Sequence, residues 1–338
     1  MKHLIFTFLL FSLGVSLNAQ DKIKIISSAS MFTDMAENII TDDFEITTIV
    51  PIGGDPHKYN PRPSDVTRVS KADIVLVNGL TFEGWITELI ENSGTKGTIV
   101  TLTDGVTPIS SLDYANSNDP HAWMDAENAL IYIKNILDVC AEYKPEAKES
   151  LQANYDKYKA ELVALETEIK EKISTIPEEK RVLITSHDAF QYYGTKYGIK
   201  LEAIMGISTE AEAQTSDITR VSKVIKESKV PSVFVESTIN PKMLKQIAKD
   251  NKVGIGGELF ADSLDDPENP AGTYIGMLRY NTNTIVEGLT KVPTMEDEKQ
   301  APKEDLLDPK NMPLGLKIMM GFAMLGVLLM VLIKRRKV

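Results

Sequence analysis

Cysteine is nearly absent: the 338-residue chain has one, Cys140. No intramolecular disulfide can form, so stability must come from a packed core. Cys140 lies in the helical pattern LIYIKNILDVCAEY and reads as a small buried apolar residue. Basic side chains are also in deficit, 37 Lys and Arg against 48 Asp and Glu, for a net charge of −11. That balance lacks the positive footprint of a nucleic-acid binder and gives cations a weak attraction. No GxxxxGK[ST] loop occurs, so the chain has no phosphate cradle for ATP hydrolysis. Histidine is scarce, with four in the whole chain. One of them, His3, falls in a leader-like segment; the other three each occupy a short motif, GGDPHKYNP (His57), NDPHAW (His121) and TSHDAF (His187).

Long apolar runs are confined to the two ends. MKHLIFTFLLFSLGVSLNAQ has a basic start, an apolar run too short for a bilayer span and a small-residue cleavage site after Ala19. This is the pattern of a signal peptide over residues 1–19. At the other end, residues 314–333 are apolar apart from Lys317 and precede the basic tail Lys334 to Lys337. As a helix this segment extends about 30 Å, the hydrocarbon thickness of a bilayer, and the basic tail, residues 334–338, marks a cytoplasmic side. Residues 291–313 are rich in proline and charge and read as a linker. The expectation is an exported body, facing the periplasm or the extracellular side and tethered to the cytoplasmic membrane by a C-terminal transmembrane helix.

Between the ends, strand-like and helix-like segments alternate. Strands are expected at residues 22–27, 45–50, 73–77, 98–103, 181–185, 200–204, 232–236 and 253–256, with helical patterns between them. Such alternation predicts an α/β fold with parallel sheets and crossover helices. In residues 145–176, Leu151, Tyr155, Tyr158, Leu162, Leu165, Ile169 and Ile173 recur at spacings of three and four. They predict one long helix with a single apolar face, stopped by Pro177. It would join a first lobe, residues 20–144, to a second, residues 177–290. The heptapeptides DVTRVSK (65–71) and DITRVSK (217–223) hint that the lobes are related.

The three histidines are almost evenly spaced, and each falls near a strand end or a helix start, where open parallel sheets bind ligands. Asp262, in ELFADSL, follows another expected strand. Taken singly, each residue has an ordinary reading. A loop histidine is usually a hydrogen-bonding surface group, and Asp262 fits a turn or helix cap. Taken together, they predict a metal site at the lobe interface with two donors from each lobe, because neutral imidazole is the commonest side-chain ligand for first-row metals.

At these residues the chain resembles a known family. GGDPHKYNPRPSDVTRVSKADIVLVNG, NDPHAW, VLITSHDAFQYYGTKYGI and GGELFADS…GTYIGMLRYN are similar to segments of the solute-binding proteins of bacterial zinc and manganese ABC importers, nearest to the TroA-type branch. The resemblance spans roughly Lys22 to Leu289. It implies two α/β lobes joined by one backbone helix, with the metal ligands at His57, His121, His187 and Asp262. It also implies a supporting role for Glu236 in VFVEST, and a role for the chain as a receptor delivering its ion to a permease served by a separate ATPase subunit. Two departures stand out. The lipoprotein cysteine is missing, and the segment SSLDYANSND carries none of the histidines found in the long loop of zinc-dedicated members.

Three imidazoles and a carboxylate suit one Zn²⁺, or Mn²⁺ if Asp262 binds through both oxygens. Binding should fade as the imidazoles are protonated, near pH 6.5 if they are unperturbed. The chain is expected to act as a monomer and as a binding component, not an enzyme. The competing readings are a zinc-dependent hydrolase, in which an open coordination position activates water, and a metal-containing surface adhesin serving cell adhesion.

Overall fold

The computed structural model describes residues 21–111 and 117–290. The segments expected to be a signal peptide, residues 1–19, and a linker, residues 291–313, lie outside the described residues, as do the apolar segment 314–333 and the basic tail.

The first lobe opens with β1 (Ile23–Ser27), α1 (Ser30–Glu37), β2 (Phe44–Thr48), α2 (Pro63–Val69), β3 (Ile74–Val77), α3 (Ile86–Ser93) and β4 (Thr98–Thr101). Its four strands form a parallel sheet in the order β2-β1-β3-β4. The central strand β3, IVLV, is buried along its whole length, as a strand covered by helices on both faces requires. A single 3-10 turn, Ala122–Met124, leads into α4 (Ala126–Tyr143). Asp125 caps α4 by accepting from the Glu127 N–H at 2.9 Å.

The helix α5 (Lys148–Ser174) follows a 3-10 turn at Pro145–Ala147. Pro145 fits that first turn because it has no N–H to leave unpaired. The residues of α5 that are buried are the seven apolar ones at three- and four-residue spacing, from Leu151 to Ile173. The helix extends about 40 Å and packs against both α4 and the last helix, α9 (Tyr274–Thr290).

The second lobe contains β5 (Val182–Thr185), α6 (Gln191–Tyr197), β6 (Lys200–Ala203), α7 (Thr215–Ser228), β7 (Ser232–Glu236), α8 (Lys242–Asn251) and β8 (Gly254–Leu259). Its strands are parallel and pair as β5-β6 and β7-β8, with β5 lying beside β7. One apolar cluster runs through both lobes, from Ile25 and Phe32 through Trp123, Tyr132 and Leu162 to Tyr274 and Leu289. The lobes are therefore joined by a shared core as well as by a helix.

The structure corrects the expected fold class in two respects. The second lobe has two short parallel ladders where a single sheet was expected. Just beyond β5, the N–H groups of Ser186 and His187 each donate to the Glu236 carboxylate, at 2.8 Å, so the end of β7 is tied to β5 through a side chain. The transmembrane helix is the second correction: no helix among the described residues is long and apolar enough to cross a membrane. The apolar segment on which that expectation rested lies outside those residues. Hydropathy measures how far such a segment would reach if helical; it does not establish a spanning element.

Candidate metal centre

The four proposed donors come from four different strand ends. His57 follows β2, His121 follows β4, His187 follows β5 and Asp262 follows β8. Each side chain offers an atom that lies within 4.8 Å of those of the other three, and all four residues are buried. His57 Nε2 is 3.2 Å from His121 Nε2. Asp262 Oδ2 is 3.2 Å from His187 Nε2 and 3.8 Å from His57 Nε2, and Asp262 Oδ1 is 3.5 Å from His121 Nε2. Donors held about 2.0–2.2 Å from one tetrahedral ion are about 3.4 Å apart, so these separations suit a single cation.

The two first-lobe histidines are set by the same local turn. In Asp55-Pro56-His57 and in Asp119-Pro120-His121, the aspartate Oδ1 accepts from the histidine N–H at 2.9 Å. Proline fixes the middle of each turn and has no N–H to compete. The second carboxylate role differs between them. Asp119 Oδ1 also lies 2.7 Å from His121 Nδ1, which orients the ring so that Nε2 faces the other donors. Asp55 Oδ2 accepts from the Thr209 hydroxyl at 2.6 Å and so ties the first lobe to the second.

His187 is held from a neighbouring strand. Glu236 Oε2 is 2.7 Å from His187 Nδ1, although the pair is not aligned as a hydrogen bond, while Oε1 takes the two N–H groups of Ser186 and His187. Phe82 stands edge-on to His57, with ring centroids 4.9 Å apart, and also packs on Trp123. It is placed by a segment in which Leu80 and Thr81 adopt left-handed backbone, φ 52° and 65°, a conformation uncommon for residues other than glycine.

The titration behaviour follows from this packing. Burial pushes His57 down to about 3; the attraction of Asp262 does not offset it, and His121 and His187 add to the push. Burial opposes charge on His121 too, but Asp119 and then Asp262 outweigh it and raise its pKa to about 9. His187 is likewise raised well above the usual imidazole range, burial being overcome by Glu236 and Asp262. Burial alone would raise Asp262; His187 and His121 instead hold it well below the usual carboxylate range. Both Asp262 oxygens and His187 Nε2 are buried without a hydrogen-bond partner among the described residues. A cation among them would satisfy all three atoms, whereas leaving such groups unpaired is costly.

Comparison with known proteins agrees with this geometry. The family described as zinc-uptake complex component A, periplasmic (ZnuA), matches residues 25–288. The chain belongs to this family. It is 35% identical over 278 residues to the metal ABC transporter substrate-binding lipoprotein SsaB of Streptococcus sanguinis, covering 80% of this chain and 90% of that protein. It is 37% identical over 270 residues to the manganese-binding lipoprotein MntA of Halalkalibacterium halodurans, covering 80% and 89%. Among solved structures, the periplasmic zinc binding protein TroA from Treponema pallidum superposes with a TM-score of 0.77 at 29% identity, over 80% of this chain and all of that one. ZnuA-family proteins of this kind are substrate-binding components of metal ABC transporters and not enzymes.

Sequence reasoning named the four donors and Glu236, and the structure brings all five together. It missed Asp119, Asp55 and Phe82. The repeated Asp-Pro-His tripeptide was a signal for the two aspartates, since one turn chemistry written twice implies one purpose. Nothing local pointed to Phe82.

Proposed function

We propose that His57, His121, His187 and Asp262 cage one divalent transition-metal ion, Zn²⁺ or Mn²⁺, outside the cytoplasm. The protein then delivers this cargo to an ABC permease driven by a separate ATPase subunit. The observation that carries the reading is the set of four buried donor atoms, one per residue, within 4.8 Å of one another, with His187 Nε2 and both Asp262 oxygens lacking hydrogen-bond partners among the described residues. The family membership supports it, as do relatives described as binding manganese and zinc. Three neutral imidazoles and one carboxylate leave a divalent ion near a net +1, a donor set zinc accepts. At equal free concentration zinc outranks manganese on such ligands, so availability outside the cell decides which ion is carried.

In this reading Asp119 and Glu236 hold the Nδ1 sides of His121 and His187, so that both rings present Nε2 to the ion. Protons on these imidazoles leave as the ion enters. Neither the hydrolase nor the adhesin reading gains support, because neither the matched family nor the relatives named above are described in those terms. The test is elemental analysis and titration of the full-length chain purified without added metal. One equivalent of zinc or manganese bound by wild type, and lost in His187→Ala, is the expected result; full occupancy in His187→Ala would overturn the assignment.

A further inference from the structure

The second lobe has an open crevice that the capture of a bare ion does not use. In the order β6-β5-β7-β8, the chain leaves β5 toward β6 and later returns to its other side as β7. The gap beyond the ends of β5 and β7 is thus the point where strand order reverses, the usual place for a small-molecule ligand in an open parallel sheet. A cavity of about 540 Å³ lies there, in the size range of organic ligand sites. In the first lobe, the segment following β3 turns through Leu80 and Thr81 and contributes the buried side chains of Phe82 and Glu83. The segment following β7 instead contributes Thr238, Ile239 and Asn240 as cavity wall.

The lining has three kinds of surface. Ile204, Leu244 and Met243 form an apolar floor and rim. Lys58, exposed beside His57, supplies a cation, while Asp55 and Glu212 supply carboxyl groups. Ser186, only 3% exposed, belongs to the cavity wall, and its hydroxyl is buried with no hydrogen-bond partner among the described residues. A buried hydroxyl without a partner is costly unless something else supplies one. A bare divalent ion needs neither an apolar floor nor a volume of this size.

We infer that this cavity is a second binding site for a small zwitterion with an apolar body, either a free apolar amino acid or a short apolar peptide. Its carboxylate pairs with Lys58 and the Ser186 hydroxyl, its ammonium with Asp55 and Glu212, and its apolar portion covers Leu244, Met243 and Ile204. Asp55 and Lys58 belong to the first lobe and the remaining wall to the second, so the occupant spans the cleft. The inference adds a ligand to the metal site but does not depend on metal being the cargo.

The test uses the full-length chain, metal-free and metal-loaded, in titration calorimetry with leucine, methionine and the dipeptide Leu-Leu as probes and with propionate and butylamine as half-probes. At least one zwitterion should bind saturably, with Kd at or below about 1 mM, and both half-probes should bind at least about tenfold more weakly. Met243→Trp, a change at an exposed rim position, should abolish zwitterion binding while one equivalent of metal still binds. Lys58→Met should weaken zwitterion binding by about tenfold. A preference for the amino acids or for the dipeptide identifies the source. Absence of saturable binding by all three zwitterions, or unchanged binding in Met243→Trp, would overturn the inference. Metal stoichiometry measured on the same samples keeps that outcome separate from a failure of the metal site.

Discussion

The two lobes share a scaffold and differ in how they hold their donors. The first has the strand order β2-β1-β3-β4; the second, reading across its two ladders, has β6-β5-β7-β8. The shared heptapeptide occupies the same structural place in each, the helix leading to the third strand. In α2, Asp65 caps the helix start by accepting from the Arg62 N–H at 2.7 Å and pairs with Arg68, which donates to the Thr48 carbonyl at the end of β2. In α7, Asp217 accepts from the Gln214 N–H at 2.9 Å and pairs with Arg220, which donates to the Ala203 carbonyl at the end of β6. The scaffold is repeated, but the chemistry is not. First-lobe histidines are fixed by Asp-Pro-His turns within three residues of chain. The second-lobe histidine depends on a distant partner: Glu236 lies 49 residues from His187. Strand ends supply positions facing the cleft, and the loops decide what occupies them.

This contrast can be broken most sharply at the donors. Asp262→Asn removes the only anionic donor of the set and should weaken zinc binding by more than about 100-fold in competition titration. His57→Ala, which removes a neutral donor from the first lobe, should cost less; the reverse order would undo the charge argument.

The supporting carboxylates come next. Glu236→Gln and Asp119→Asn should each weaken metal binding by about 10- to 100-fold. Glu236→Ala should lower the thermal midpoint more than Asp119→Ala, because Glu236 Oε1 accepts two backbone N–H groups at the end of β5 while Asp119 Oδ1 accepts one. Equal thermal effects would show that long-range and local support have the same structural weight.

The protonation states sharpen the comparison further. His121, raised to about 9, and His187, raised well above the usual range, hold protons at neutral pH in the metal-free protein, whereas His57, lowered to about 3, does not. Metal entry should then release close to two protons at pH 7, one from each lobe. Affinity should fall steadily as pH drops from about 9, well above the 6.5 of an unperturbed imidazole. Calorimetry in buffers of different ionisation heat counts the protons; a value near zero would contradict these assignments.

The smallest effect concerns the repeated helix device. Arg68→Ala should destabilise the fold by about 1 kcal/mol, and Arg220→Ala by less, in urea unfolding. The reason is burial: the Asp65 side chain is 3% exposed, against 30% for Asp217.

Local rules made much of the molecule legible beforehand. The three- and four-residue spacing located the buried face of α5, because a helix repeats its facing positions at that interval. Asp125 was readable as the cap of α4 from its place before an apolar run. The β-branched run of β3 announced a strand buried on both faces. Phe82 was not legible, since its place beside His57 depends on left-handed backbone at Leu80 and Thr81, which neither residue type favours. The divided ladders of the second lobe were equally hidden, because strand pairing joins segments far apart in the chain and no local pattern encodes it.

The sequence by itself determined the alternation of strands and helices, the turns that set His57 and His121, and which side chains could bind a metal. These depend on interactions a few residues long. Only the tertiary structure decided that four donors from four strand ends converge within 4.8 Å, that Glu236 and Asp262 raise His187 against its burial while burial lowers His57, and that an open crevice remains beyond β5 and β7. Such outcomes depend on desolvation and on distances between segments far apart in the chain, and local sequence carries no measure of either.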